Sequence, residues 1–258
     1  KPDEIAVYMI FGGVAGATSG STLCTYFGLP ISYRHSLIGG IMGAGIAGIG
    51  FETLLFAGLS KIFAGIVIAP VGGLIFGLLL TGLIITIFAN RRPAVVNKTF
   101  GRLQIISSAW FALTHGANDG QKTMGIIVLI LFSAGMIPEL DMPLWVIFAA
   151  ATAMGLGTFF GGYKVIKTLG VKIVKLKPYQ GFAAETAGGV MLAIFATLGI
   201  PASTTHAITG TIMGAGSARR KRAVRWNVGR QIVFAWIITI PGSAALGIVF
   251  TYVINLFV

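Results

Sequence analysis

The chain has 258 residues, of which 55% are hydrophobic and only 10% charged, with a mean hydropathy of +0.89. A water-soluble domain carries about 25% charged residues, so this composition excludes a soluble globular fold and points to a polytopic membrane protein. The net charge of +12 does not signal nucleic acid, because the bases sit in short connections between apolar runs, as in the cytoplasmic loops of membrane proteins.

The 37 glycines fit that class, since small residues let membrane helices approach closely. Cys24 is a single cysteine and cannot form an internal disulfide. No signal peptide is visible, and the opening on Lys1 reads as a fragment or a processed chain.

In chain order, residues 5–50 are expected to form a re-entrant hairpin, with Glu52 near its exterior interface. Residues 62–89 exceed the roughly 20 apolar residues needed to cross a bilayer. A basic loop follows at 90–104 (RRPAVVNKTFGR), then spans at 105–137 and 142–162, joined by the acidic PELDMP turn. After the basic YKVIKTLGVKIVKLK (163–177) comes a second re-entrant hairpin at 178–217, where Pro201 interrupts the apolar run. The basic ARRKRAVR (218–225) precedes a last span at 228–258, with Arg230 near its cytoplasmic end.

Parity supports this order. If the three basic segments are all cytoplasmic, an even number of crossings separates any two. The stretch from 105 to 162 supplies two. The 40 residues between the second and third segments are too few for two crossings that also contain Pro-Ala-Ser-Thr-Thr-His. A hairpin that enters and returns fits, provided its irregular tip is buried in protein or lines an aqueous cavity.

The hairpins are related to one another. PISYRHSLIGGIMGAG (30–45) aligns without a gap on PASTTHAITGTIMGAG (201–216), 171 positions later. Pro, Ser, His, a Gly and the IMGAG tail coincide. The topology places the copies in opposite orientations, and inverted repeats with broken helices are a secondary-transporter signature. The chain therefore divides into a partial first repeat (1–104) and a complete second repeat (105–258). Extrapolating the repeat upstream, roughly 65 to 75 residues of the first copy are expected to precede Lys1.

Polar residues at membrane depth mark the candidate site. THGANDGQKTMG (114–125) puts Asn118 and Asp119 between Gly116 and Gly120, with Lys122 three residues on. Charge inside a span is costly and functional by default. The glycines are expected to open the helix, freeing oxygens for a small cation; the alternative is an Asp119–Lys122 pair that only locks the fold. Glu185 is either interfacial or part of an ion path. In the second hairpin Ser203, Thr204 and Thr205 can cap a helix start, where hydroxyls and free N–H groups suit an anion; simple capping is the alternative. His35, His115 and His206 all fall inside these motifs, as proton relays, oxyanion donors or packing groups. Ser203 and His206 lack an orienting acid in local sequence, so hydrolytic catalysis is not expected.

THGANDGQKTMG resembles the Gly-Ala-Asn-Asp signature of the inorganic phosphate transporter (PiT) family, and GIPASTTHAITGTIMGAG resembles its Pro-x-Ser-Thr-Thr-His signature. The connecting TLGVKIVKLKPYQGFAAETAGG and the trailing RAVRWNVGRQIVFAWIITIP are also similar to bacterial members. The resemblance implies a cell-membrane symporter that moves inorganic phosphate with Na+ or H+ by alternating access, without a further cofactor and without being an enzyme. It assigns phosphate and ion binding to Asn118, Asp119, Ser203, Thr204 and Thr205, with Asn118 and Asp119 holding Na+ if sodium is the coupling ion. Ser32 is retained in the first copy, while Tyr33 and Arg34 replace Thr-Thr. Arg34 either supplies charge for phosphate or marks a less direct half-site. Glu185, His206, His115 and Lys122 stand as an ion or proton path. The expected partners are phosphate, membrane lipid and the upstream segment of the same protein, with room for a homo-oligomer. Carriage of sulfate or arsenate, or a non-transporting channel or sensor, are the rival readings.

Overall fold

A computed structural model describes residues 6–54, 56–200 and 202–257. Its described residues form an all-α protein without strands. Helices α1 (Val7–Tyr26) and α2 (Tyr33–Gly48) pack on one another, as do α7 (Pro178–Thr197) and α8 (Thr204–Ser217). Between them run α3 (Phe56–Ile87), α4 (Pro93–Ser133), α5 (Leu144–Phe160) and α6 (Tyr163–Lys167), the last continuing as a π-turn over Thr168–Ile173. Helix α9 (Trp226–Asn255) closes the order. By length and hydropathy Val7–Tyr26, Gly58–Ile87 and Trp226–Asn255 can each cross a membrane. The bent pair Leu144–Phe160 and Tyr163–Ile173, at 58°, makes a fourth if taken as one span.

The repeat extends into backbone geometry. Val7 and Pro178, which start the first limbs, are 171 positions apart, as are Tyr33 and Thr204, which start the second limbs. The helix-interior prolines Pro70 and Pro241 keep the same spacing. Both first limbs end alike. Gly28 and Gly199 take φ of +72° and +64°, a left-handed conformation that glycine adopts without strain. Leu29 N–H donates to Cys24 O at 3.0 Å and Ile200 N–H to Phe195 O at 2.9 Å, the six-to-one bond of a Schellman stop. The signal ending α7 is thus Gly199 rather than Pro201, which lies outside the described residues.

Two further expectations change. The basic stretch 90–104 is helical from Pro93 onward, because proline at a helix start lacks only an N–H that has no partner there. Helix α4 also runs unbroken through Asn118 and Asp119, so Gly116 and Gly120 do not open it. An interior glycine costs about 1 kcal/mol against alanine, too little to break a 41-residue hydrogen-bond ladder.

The chain forms two compact units. The first comprises Lys1–Leu59, Asp119–Gly162 and Val233–Val258; the second comprises Ser60–Asn118 and Tyr163–Ile232. They cut across the sequence repeats, since each joins a hairpin of one repeat to the long helix of the other. In the first unit α2 lies against α9 so closely that a Cβ on Gly39 or Gly43 would overlap the carbonyls of Ile240 or Ala244. In the second, α8 lies against α3, and a Cβ on Gly210 or Gly214 would overlap those of Pro70 or Leu74. Such contact gives dispersion energy where no hydrophobic effect drives helix association. The Trp236 indole N–H donates to Pro30 O at 2.8 Å, tying α9 to the first hairpin tip. An apolar cluster of Ala69, Met191, Leu192, Phe195 and Ala207 holds the second hairpin to α3.

Candidate functional site

Each second limb begins on a serine. Ser32 Oγ accepts from the His35 N–H at 3.4 Å, and Ser203 Oγ from the His206 N–H at 3.3 Å. Both serines and both histidines are buried. The first N–H groups of a helix have no partner within the helix, and each serine cap accepts from one of them. Replacing either serine by alanine is expected to cost about 1 kcal/mol; a thermal melt of the single and double variants checks this, with the two costs adding.

The first unit gathers charge at its tip. Asp119 acts electrostatically on Arg34 and on Lys122, and both cations act on the His35 ring. Lys122 Nζ donates to Asp119 Oδ1 one helical turn away. Among the described residues, two cations and one carboxylate leave an excess positive charge beside the N-terminus of α2, where the helix dipole is also positive. Arg34 Nε and Nη1 are buried and make no hydrogen bond among the described residues. Tyr33, its neighbour, is 44% exposed.

In the second unit Ser203 and Thr204 are buried and Thr205 is half-buried. Thr205 O accepts from Thr209 Oγ1 at 2.7 Å, fixing the first turn of α8. Asn118 Nδ2 donates to Thr114 O at 2.9 Å, and His115 stacks on Phe111 with 7° between the rings. Glu185, half-buried on α7, accepts from Ser107 Oγ at 2.6 Å and from Gln104 Nε2 at 3.4 Å. It is thus bound to protein rather than displayed to solvent, which its sequence context left open.

Gln104 and Ser107 were not among the sequence candidates. Their signal is a spacing: Gln104, Ser107, Phe111, Thr114 and Asn118 recur at three and four residues, one face of a helix. Polar groups along one face of a long apolar helix must turn inward. Helix α7 receives that face with glycine, since a Cβ on Gly181 would collide with the Gln104 side chain and one on Gly188 would press on the Phe111 ring.

The model of the phosphate transporter family matches residues 1–247. The chain belongs to the phosphate transporter family. It is 44% identical over 246 residues to a Rhizobium meliloti (strain 1021) protein described as a "probable low-affinity inorganic phosphate transporter". That alignment covers 95% of this chain and 74% of the relative. A Bacillus subtilis (strain 168) protein of the same description is 38% identical, with 96% and 75% covered. The fold is similar to a solved structure described as "The sodium-dependent phosphate transporter", with a TM-score of 0.84 and 23% identity, covering 97% of this chain and 80% of that one. The phosphate transporter family sets the activity class: transport of phosphate by an integral membrane protein, not enzymatic turnover.

Proposed function

We propose that this chain is a cation-coupled symporter of inorganic phosphate that works by alternating access in the cell membrane, with its basic segments on the cytoplasmic side. The observation that carries the reading is the charge cluster of Arg34, Lys122 and Asp119 at the Ser32-capped start of α2. Phosphate is a small dianion with four acceptor oxygens. Arg34 supplies unspent guanidinium donors matched to it, Ser32 a hydroxyl, and the α2 terminus its N–H groups. Ser203, Thr204 and Thr205 offer the equivalent hydroxyls and N–H groups at the start of α8, and Asn118 a carboxamide.

Asp119 is the coupling carboxylate. Its pairing with Lys122 means that the ammonium occupies a carboxylate oxygen in this state. A sodium ion, with Asn118 and Asp119 as ligands, then exchanges with the ammonium at that oxygen. The similar solved transporter is described as sodium-dependent, which supports Na+ over H+. Glu185, with His206 and His115, forms the ion or proton path, with Ser107 and Gln104 holding the carboxylate ready.

Arg34→Gln tests the anion assignment directly. A hydrogen bond to a charged partner is worth about 1.5–3 kcal/mol, so the phosphate concentration for half-maximal uptake rises about tenfold or more. Arg34→Lys recovers part of that loss. Unchanged half-saturation in Arg34→Gln would remove Arg34 from the site.

A further inference from the structure

We propose that the second compact unit carries a binding site for the headgroup of an anionic phospholipid, separate from the transported phosphate. A cavity of about 180 Å³ opens where α3 ends, α4 begins and α7 begins. Its cations are Arg91, Lys177 and Arg219. A second cavity of about 280 Å³ shares Lys177, Tyr179 and Arg219 with the first and adds Lys175 and Arg220. Among the described residues, no Asp or Glu lines either one. Five cations without a lining carboxylate form an anion receptor. The helix ends do not supply the attraction, because the C-termini of α3 and α8 oppose the N-termini of α4 and α7. Side-chain charge decides it.

The opposite wall decides the class of anion. Ile84, Ile85, Phe88 and Val96 make it apolar, which a freely soluble phosphate does not require. The apolar surface continues along α3 as Leu79, Leu83 and Ile87, spaced four apart and 62%, 55% and 63% exposed. In a membrane this stripe faces acyl chains, so a lipid lying along it brings its phosphate to the basic rim. Asn97 adds a buried side-chain oxygen, Oδ1, that makes no hydrogen bond among the described residues. An acceptor among cations suits a headgroup that also carries hydroxyl donors, as phosphatidylglycerol does. Both cavities are smaller than the roughly 300–1,000 Å³ of a drug-sized ligand site, consistent with a headgroup whose chains stay outside. Basic pockets between membrane helices on the cytoplasmic side recognise such headgroups generally.

The test uses the full-length protein in nanodiscs with equal parts phosphatidylglycerol and phosphatidylcholine, released into native mass spectrometry. Wild type is expected to retain phosphatidylglycerol, and Arg91→Gln/Arg219→Gln to lose about tenfold of that occupancy. Arg91→Lys/Arg219→Lys keeps the lipid, as does Lys221→Gln/Arg222→Gln, which removes two charges outside both cavities. Millimolar inorganic phosphate does not displace it. The wild type gives a second reading, a higher melting temperature with added phosphatidylglycerol than with phosphatidylcholine. Equal retention of both lipids, equal loss in the Lys221/Arg222 variant, or displacement by inorganic phosphate would each overturn the site.

Discussion

Asp119→Asn is expected to abolish cation-driven phosphate uptake, by about a hundredfold or more, while equilibrium phosphate binding falls far less. The substitution keeps the side-chain shape and removes the carboxylate that, among the described residues, acts on Arg34 and Lys122. The Lys122–Asp119 pair is part-buried, with 28% of the Asp119 side chain exposed, so the effect is read in transport and not in folding. A hundredfold loss of rate corresponds to about 2.7 kcal/mol, at about 1.36 kcal/mol per tenfold. The asymmetry between uptake and binding follows from charge. Without Asp119 the tip of the first unit becomes more positive, which favours an anion, but the oxygen proposed to exchange ammonium for cation is gone. Uptake into proteoliposomes and phosphate binding by calorimetry read the two quantities separately. Uphill uptake within threefold of wild type would show that Asp119 does not couple.

Gly214→Leu and Gly43→Leu are expected to prevent folding. At each position a Cβ would overlap a backbone carbonyl, that of Leu74 for Gly214 and that of Ala244 for Gly43. A flexible side chain could move aside, whereas a helix backbone cannot without shifting the whole helix. Overpacking costs typically 1–3 kcal/mol when the neighbours are side chains and occasionally more; against backbone the larger cost applies. Gly82→Ala is the control, because nothing lies near its Cβ position and alanine is the better helix former. Yield and melting temperature in detergent check all three. A folded Gly214→Leu with a wild-type melting temperature would contradict the close α3–α8 packing.

The hairpins and the repeat were legible because local chemistry wrote them. The shared IMGAG tail, the serine caps and the tip glycines each act within a few residues of the chain. What stayed hidden depends on distance. Nothing in the periodicity of α2 says that it pairs with α9, about 200 positions on, because a helix needs no particular partner to display a glycine face. The break expected at Gly116 and Gly120 failed for the opposite reason: glycine permits an opening but does not force one, and α4 keeps its hydrogen bonds. Glu185 could be singled out from its charge, but its donors Ser107 and Gln104 lie nearly 80 positions upstream. Their three- and four-residue spacing was the available clue. The charge cluster was half legible. Asp119 and Lys122 are one turn apart on a single helix, whereas Arg34 joins them only through the fold.

The central claim, cation-driven accumulation of phosphate, is tested most directly by uptake of labelled phosphate into proteoliposomes with sodium and pH gradients imposed one at a time. An inward sodium gradient is expected to drive phosphate above its external concentration, and collapse of that gradient to release it. Phosphate that only equilibrates, whichever gradient is imposed, would contradict the account.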